Sequence, residues 1–315
     1  MMTTEITKSV VVPLDGSPIA LKTLHYLLLV FSPRHNLIVN LFHVVPGAPE
    51  ILVEESRKNP DTARQVRELE NRSKKMAAKA LSAGKKALLD KGIKEEKVKI
   101  VEFKKQVGIA RDICGWSEKK RMDAIVLNTR GRSRIEAFFM GETANKVLEL
   151  SRICPVWMIK GDVRSKPVII AMDNSENALR AVDHAAFMLS GTDCPVTLFY
   201  AKRNLLRFFS REAVEPVSGL ESMWKSAAGR EIAPYMQKAK EMLIKAGLDE
   251  SKISSHIVDG GRSAAADILD AVRRFGCGTI VMGRRGATNV KDYTLGSVSR
   301  KVLQNCQDAA LWLVP

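Results

Sequence analysis

The sequence has few cysteines, and none of them forms a pair at the spacing of a metal or redox motif. The chain of 315 residues holds five isolated ones, Cys114, Cys154, Cys194, Cys277 and Cys306. This pattern excludes a disulfide scaffold and is typical of reduced, buried thiols in the cytosol. Long apolar runs are also absent, since the longest lies near Leu24–Phe31 and a membrane span needs about 20 residues. With no signal-peptide pattern at its start, the sequence predicts a soluble, cytoplasmic protein.

The motifs of several enzyme classes are missing as well. There is no G-x4-G-K-[ST] loop, no G-x-G-x-x-G after a first strand, no G-x-S-x-G elbow and no H-E-x-x-H pair. These absences exclude a P-loop hydrolase, a dinucleotide enzyme of the usual type, a serine hydrolase of that fold and a zincin. The sequence therefore gives no residue a catalytic or metal-binding role.

Acidic residues are scarce in the first half of the chain. The whole sequence has a net charge of +15, with 50 basic and 35 acidic residues. Residues 1–160 contribute 29 basic and 18 acidic residues, or +11, and the remainder contributes 21 and 17, or +4. Such an excess favours an anionic partner, although a solvated basic surface explains it equally well.

The two halves of the chain repeat one another. SVVVPLDGSPIALKTL is similar to KPVIIAMDNSENALRAV, which places Asp15 on Asp173 at an offset of 158 residues. Later, DAIVLNTRGRS is similar to GTIVMGRRGAT, and an offset of 155 pairs Trp157 with Trp312. A nearly constant offset over this length indicates duplicated domains.

Each copy alternates strand-like and helix-like patterns. Apolar runs without polar alternation, such as Val168–Met172 and Thr279–Gly283, are typical of strands buried on both faces. Helix-periodic segments such as Glu176–Leu189 separate them. The alternation predicts βαβ units and a parallel sheet. We therefore predict two doubly wound, five-stranded α/β domains, over residues 1–160 and 167–315.

The second copy carries a loop of the kind that binds phosphate. Asp173 ends its first strand, and the loop after its fourth strand reads Gly283-Arg-Arg-Gly286, nine residues, then Gly296-Ser297. Open parallel sheets bind ligands beyond the carboxyl ends of their strands, where the strand order reverses. Glycines allow a tight turn and close backbone approach, and a helix N-terminus favours an anion. The sequence predicts a phosphate-binding site there.

This combination resembles the universal stress protein family in its tandem two-domain form. The glycine pattern G-x2-G-x9-G-S and the early aspartate, in MDNS and in LDGS, carry the resemblance, which covers nearly the whole chain. It implies the adenine-nucleotide alpha-hydrolase-like fold. It also implies an ATP-binding stress-response regulator, which we expect to bind the nucleotide without efficient turnover because no general base is evident.

The resemblance also assigns roles within the second copy. Asp173 and the backbone near Ala201 would hold the adenosine end of ATP, and Gly283 would lie against the ribose. The phosphates would be held by Gly286, Gly296, Ser297 and Val298. No carboxylate cage is visible beyond Asp173, so we expect Mg²⁺ or Mn²⁺ only as a companion of the triphosphate.

The first copy departs from this pattern. It reads Asn128-Thr-Arg-Gly131, nine residues, then Gly141-Glu142. Asn128 adds a side chain where the backbone would approach a ligand, and the Glu142 carboxylate would repel phosphate. We interpret this copy as a degenerate structural partner, although Asp15 is retained and leaves binding of a nucleoside without phosphates open.

Two alternatives remain open at this point. The first is an RNA- or anion-binding protein, because residues 72–86 hold six cations and no acid; no RNA-recognition aromatic motif accompanies them. The second is a weak ATPase, for which the sequence shows no base.

The last strand of each copy is strongly apolar. Each contains one tryptophan, in CPVWMIK and in AALWLVP, and an apolar edge strand favours pairing. Single-domain relatives commonly dimerise through this strand. We therefore expect the copies to pair as an intramolecular pseudo-dimer with Trp157 and Trp312 buried, and we also consider a homodimer.

Overall fold

The computed structural model describes residues 7–17, 20–129, 141–205, 208–261, 263–286 and 295–315. These residues form two compact units, one reaching Thr129 and resuming over 141–156, the other covering Trp157–Pro315. The second unit therefore includes most of the last strand of the first repeat. The domain boundaries 1–160 and 167–315 remain a prediction from the repeat.

Strands and helices alternate along both units, as predicted. The elements are β1 (Lys8–Pro13), α1 (Ala20–Val30), β2 (Leu37–Val45), α2 (Glu50–Lys58), α3 (Pro60–Leu89), β3 (Val98–Lys104), α4 (Ile109–Lys119), β4 (Ala124–Asn128), α5 (Glu142–Leu150), β5 (Val156–Lys160), β6 (Val168–Ala171), α6 (Glu176–Leu189), β7 (Val196–Lys202), α7 (Arg211–Val214), α8 (Leu220–Lys245), β8 (Ile253–Asp259), α9 (Ala264–Arg274), β9 (Thr279–Gly283), α10 (Ser297–Asn305) and β10 (Ala309–Val314).

The first unit has the strand order β3-β2-β1-β4. Its strands pair in parallel, with Val10 opposite Val39 on one side and opposite Ala124 on the other. β3 pairs in parallel with β2 on the outer side. The central strand β1 carries the run Val10–Val12, which is fully buried. This run supplies the apolar side chains that helices on both faces of a parallel sheet require.

The second unit has the strand order β5-β10-β9-β6-β7-β8. β10, β9, β6, β7 and β8 pair in parallel in that order. Every residue of β6, β9 and β10 is buried. The parallel α/β class predicted from the sequence is confirmed, and the chain leaves β6 towards β7 but returns to β9 on its other side.

β5 lies beside β10 in the second unit. The rings of Trp157 and Trp312 stack there with their centroids 3.8 Å apart and their planes 2° from parallel. The indole N–H of Trp157 donates to Nε2 of His184 over 3.0 Å. Both tryptophans are fully buried, which confirms that part of the prediction, whereas the sequence gave His184 no role.

The predicted burial of the five cysteines is also confirmed, and all are free thiols. Burial raises the pKa of the Cys277 thiol and of the Cys306 thiol to about 11. A protonated thiol is a poor nucleophile, so both behave as packing residues. Among the described residues, no helix is both long and apolar enough to cross a membrane.

Candidate nucleotide-binding site

The predicted site residues of the second unit meet at one edge of its sheet. β6, β7 and β9 run in parallel, so their carboxyl ends lie at the same edge. The chain turns to opposite sides after β6, which makes the β6–β9 boundary the point where strand order reverses. Ligands of open α/β sheets bind at such a boundary.

Asp173 follows β6 and is held in a fixed orientation. Its Oδ1 accepts hydrogen bonds from the backbone N–H of Ser175, at 3.0 Å, and from the Ser175 hydroxyl. The hydroxyl oxygen of Ser175 in turn caps α6 by accepting from the N–H of Ala178 at 3.1 Å. The start of α6 thus positions the carboxylate, and Oδ2 points to the glycine loop.

Gly286 lies directly against this carboxylate. A Cβ atom at Gly286 would come within 2.6 Å of Oδ2 of Asp173, far inside van der Waals contact. The side chain is absent because the loop crosses so close to Asp173. Asp173 and Gly286, two of the predicted site residues, lie 113 positions apart in the sequence and are neighbours in the structure.

Gly283 ends β9 in a fully packed environment. A Cβ atom there would lie 2.9 Å from the carbonyl oxygen of Arg285 and 3.0 Å from Cβ of Asn177 on α6. The sequence interpretation gave this glycine a role in approaching a ligand, and the structure adds a second reason, the contact with α6. The side chain of Asn177 was missed because this contact is long-range.

The N-terminus of α10 follows the loop. Gly296 is its N-cap, and its N–H donates to the carbonyl of Arg284 over 2.8 Å. No side chain caps the first turn of α10, in contrast to α6 and α9, which Ser175 and Ser263 cap. An α-helix leaves its first N–H groups without intrahelical partners, so the amides of Ser297 and Val298 suit an anion.

Ser297 and Val298 are the first two residues of α10. Ser297 is exposed and Val298 is half-buried, so the hydroxyl of Ser297 is accessible to a ligand. Ser299 points the other way: it is buried, and its hydroxyl donates to the carbonyl of Gly283 over 2.9 Å. This bond joins α10 to the end of β9. The sequence analysis gave Ser299 no role, although the second serine of the sequence GSVS was a signal that could have indicated it.

Ala201 lies at the same sheet edge but on β7. Ala171 of β6 pairs with Phe199 of β7, so Ala201 is level with Asp173 two residues further along each strand. It is half-buried, and the next residue, Lys202, pairs with Asp259 at 3.2 Å. Burial, followed by the charge of Glu231, raises the pKa of the adjacent Tyr200. The structure places Ala201 on the edge without showing what its backbone binds.

A lysine of β5 binds the carbonyl groups at the C-terminal end of α10. Lys160 is buried, and its Nζ donates to the carbonyls of Leu303 and Gln304 over 2.8 and 3.1 Å. A cation at a helix C-terminus stabilises the helix by about 0.3–1 kcal/mol, and more when partly buried. Lys160 therefore supports the helix whose opposite end has free amides.

The first unit has a different arrangement at the equivalent positions. Glu142 begins α5, and its carboxylate accepts from Nζ of Lys146 over 2.5 Å. This bond lowers the pKa of Glu142, so a negative charge already lies at this helix N-terminus. Asn128 ends β4, and its Nδ2 is a buried donor without a hydrogen-bond partner among the described residues. Gly131 lies outside the described residues.

The described residues include no group of three or more His, Cys, Asp or Glu that could hold a metal ion. Asp173 is the acidic side chain at the sheet edge to which the loop comes close. Its position fits a carboxylate that binds a ligand hydroxyl or a ligand-borne cation.

Comparison with known proteins now decides the family. The model of the universal stress protein family matches residues 7–160 and again residues 164–309. The chain belongs to the universal stress protein family. The two matches also confirm the tandem form of this universal stress protein, one copy following the other.

One curated relative is similar to about half of this universal stress protein, and two solved structures are similar to nearly all of it. The universal stress protein YxiE of Bacillus subtilis (strain 168) is 24% identical over 147 residues, 44% of this chain and 90% of that protein. A universal stress protein from Archaeoglobus fulgidus DSM 4304 has a TM-score of 0.64 at 20% identity, covering 97% of both chains. A protein of unknown function from Pseudomonas aeruginosa PAO1 has a TM-score of 0.56 at 14% identity, covering 98% of this chain and 93% of its own. At these identities the solved structures support the tandem fold.

Proposed function

We propose that this universal stress protein binds ATP in its second repeat and acts as a stress-response regulator. The observation that supports it is the N-terminus of α10, which has no capping side chain and adjoins a loop that touches Asp173. Amides at a helix N-terminus bind phosphate, and a fixed carboxylate can accept from a ribose or base donor. The binding of a phosphorylated nucleoside would use both features.

The proposed roles follow the order of these groups along the sheet edge. Asp173 and the backbone at Ala201 would hold the adenosine end, with Gly283 against the ribose. The phosphates would be held by the backbone of Gly286, Gly296 and Val298 and by the N–H and hydroxyl of Ser297. Mg²⁺ or Mn²⁺ would bind through the triphosphate, because the described residues provide only Asp173 near the loop.

We expect binding without efficient turnover. A general base must reach the attacking water at hydrogen-bond distance, and the described loop residues supply arginines, serine and glycines but no base. Among the described residues, Asp173 is the carboxylate that lies against the loop, and its Oδ1 is engaged by Ser175. A weak ATPase remains the alternative, and it would show as phosphate release that Asp173→Asn abolishes.

The first repeat would not hold the phosphates. The ion pair between Glu142 and Lys146 places a carboxylate at the N-terminus of α5, where it would repel an anion. We therefore expect one ATP per chain. The alternative of an anion-binding role for this basic repeat concerns another surface and does not compete with ATP binding.

The experiment is calorimetry on the full chain with ATP, ADP and adenosine, after extraction and chromatography of any nucleotide that copurifies. The proposal expects a stoichiometry near one and an affinity that falls as phosphates are removed. A protein that is empty and takes up no added ATP contradicts it. Equal affinity for ATP and adenosine contradicts the role of α10.

The assembly of the protein and its location remain separate proposals. The stacked Trp157 and Trp312 support the pairing of β5 with β10. A homodimer and a cytoplasmic location stay predictions from the sequence, which size-exclusion chromatography and cell fractionation test.

A further inference from the structure

Only the second half of the helix α3 contributes buried residues to the core of the first unit. The helix covers 30 residues, Pro60–Leu89, and its buried residues are Ala77, Ala80, Leu81, Gly84 and Leu88. No residue of α3 before Ala77 is buried, although α2 also contacts this helix. The exposed side chains of the first half and of the outer side of the second half are therefore accessible to a partner.

The accessible side of α3 is strongly basic. The helix holds eight lysines and arginines against three acidic residues. All eight are exposed except the half-buried Lys85. Residues three and four positions apart share one side of an α-helix, so one row is formed by Arg64, Arg67, Asn71, Lys75 and Lys79. Four of these five side chains are cations. At about 1.5 Å per residue, the cations from Arg64 to Lys86 extend over about 33 Å.

Most of this charge is not neutralised within the protein. Arg72 pairs with Glu68 at 2.6 Å and Lys85 pairs with Glu95 at 2.5 Å. In the part of the chain that the structure describes, the other six cations have no ion-pair partner: Arg64, Arg67, Lys74, Lys75, Lys79 and Lys86. An open groove of about 650 Å³ follows the first half of this row and is lined by Arg64, Arg67, Asn71 and Lys75, together with the ion pair of Glu68 and Arg72, whose charges offset each other.

We propose that this basic side of α3 binds the phosphodiester backbone of RNA. A linear row of unneutralised cations complements a linear polyanion better than a compact anion. Arginine side chains bind phosphate through two parallel N–H donors, and Asn71 adds an amide donor in the groove. The helix carries no aromatic residue, so bases have no stacking platform. Binding is therefore to phosphates and independent of sequence.

A membrane surface is the competing partner, and the residues of the row disfavour it. Helices that bind at a bilayer surface place large apolar side chains beside their cations. The exposed large apolar residues of α3 are Leu69 and Met76, which lie seven positions apart and outside the row that lines the groove. The rest of the accessible side is short or charged.

The long helix α8 of the second repeat provides an internal control. It has five basic and three acidic residues over Leu220–Lys245. Two of its lysines are already paired, Lys225 with Glu221 at 2.8 Å and Lys240 with Glu250 at 2.7 Å. Its exposed cations are thus fewer and more dispersed.

The test is the fluorescence anisotropy of a labelled oligouridine titrated with the full chain. The matched variants are the triple change Arg64→Gln, Arg67→Gln, Lys75→Gln on α3 and the triple change Arg230→Gln, Lys238→Gln, Lys245→Gln on α8. Both remove three exposed positive charges, and none of the six residues is buried. Circular dichroism confirms that each variant folds.

Six phosphate contacts at about 0.7 each predict a salt slope near −4 for single-stranded RNA. Removing three contacts should reduce the slope to about −2 and weaken binding about 100-fold near 0.1 M salt. The α8 variant should change the affinity by less than about threefold. Equal losses in both variants would mean that net charge alone acts, and this result overturns the proposal. So does the absence of binding at low salt, or α3-dependent binding to anionic vesicles without binding to RNA.

Discussion

The two repeats are alike at the end of their first strand and differ at the start of their last helix. Asp15 accepts from the N–H of Ser17 over 2.9 Å, and Asp173 accepts from that of Ser175 over 3.0 Å. Neither last helix has a side-chain cap, but Glu142 pairs with Lys146 in the first turn of the first repeat, whereas the exposed Ser297 occupies that position in the second.

This difference indicates how a duplicated domain can lose a ligand site without losing its fold. A carboxylate at a helix N-terminus interacts favourably with the helix dipole. Glu142 therefore stabilises α5 by the same field that would attract a phosphate. The fold is preserved because the carboxylate of Glu142 takes the place of a bound phosphate at the helix N-terminus.

The largest expected effect comes from the loop of the second repeat. We expect Gly286→Val to abolish ATP binding, because its Cβ would lie within 2.6 Å of Oδ2 of Asp173 and displace that carboxylate. Calorimetry measures the affinity, and circular dichroism verifies the fold. Gly141→Val, at the start of α5 in the first repeat, is the control for a valine in the repeat without the site, since no described atom lies within 4 Å of its Cβ position. Unchanged affinity in the folded Gly286→Val protein would refute the site.

A smaller effect should follow from giving the start of α10 the residue that begins α5. Ser297→Glu copies Glu142, and we expect ATP affinity to fall at least tenfold, or about 1.4 kcal/mol, by charge repulsion. Glutamine has nearly the same size as glutamate but no charge, so Ser297→Gln should lower the ATP affinity only a few-fold. Adenosine has no phosphate, so its affinity should stay the same in both variants. An equal loss for adenosine would show that the side chain acts by blocking the pocket.

The second repeat should also be the more sensitive to acid. Burial lowers the pKa of His184 to about 3, and Nε2 must be unprotonated to accept from Trp157. Because the pKa of His184 in the folded protein is below the ordinary value of 6.5, the stabilisation that depends on the neutral imidazole is fully present above pH 6.5. It decreases on acidification towards pH 3, by about 1.4 kcal/mol per unit.

At the offset of 158 residues the first repeat has Tyr26, which is also buried and carries no imidazole. Urea unfolding between pH 7.5 and 5.5 measures the slope, with His184→Gln as the comparison, because a glutamine can accept from Trp157 without titrating. If the two proteins lose stability in parallel, other groups are responsible.

The smallest effect concerns the bond that ties α10 to β9. Ser299→Ala removes the hydroxyl that donates to Gly283, and we expect a loss of about 1 kcal/mol in the free energy of unfolding. The equivalent residue of the first repeat is Ala144, also buried. Ala144→Ser should therefore bring no gain. A larger loss of ATP affinity than of stability would give Ser299 a part in positioning the loop.

The comparison also explains which features the sequence could predict. β9 has the predicted bounds Thr279–Gly283, since a buried parallel strand is short, apolar and bounded by turn residues. Asp173 could be singled out from the sequence because it follows such a strand. The predictions succeeded where the signal is local and repeated in both copies.

Long-range contacts were not predictable in the same way. The packing of Gly283 on Asn177 and of Gly286 on Asp173 joins residues more than 100 positions apart, and no local pattern encodes it. The sequence analysis assigns no bounds to α3, although the start of this helix carries local signals: Asn59 caps it and Pro60 occupies the first turn. An exposed helix lacks the apolar periodicity on which such predictions rest.

The position of β5 has a consequence for any attempt to study the second repeat alone. A fragment that begins at the linker, residue 161, would lack Trp157 and Lys160. It would expose one face of Trp312 to water and leave the carbonyls of Leu303 and Gln304 without their lysine. The unit of sequence duplication and the unit of independent folding are therefore offset by one strand, and a fragment that starts before Val156 is the one that should remain folded.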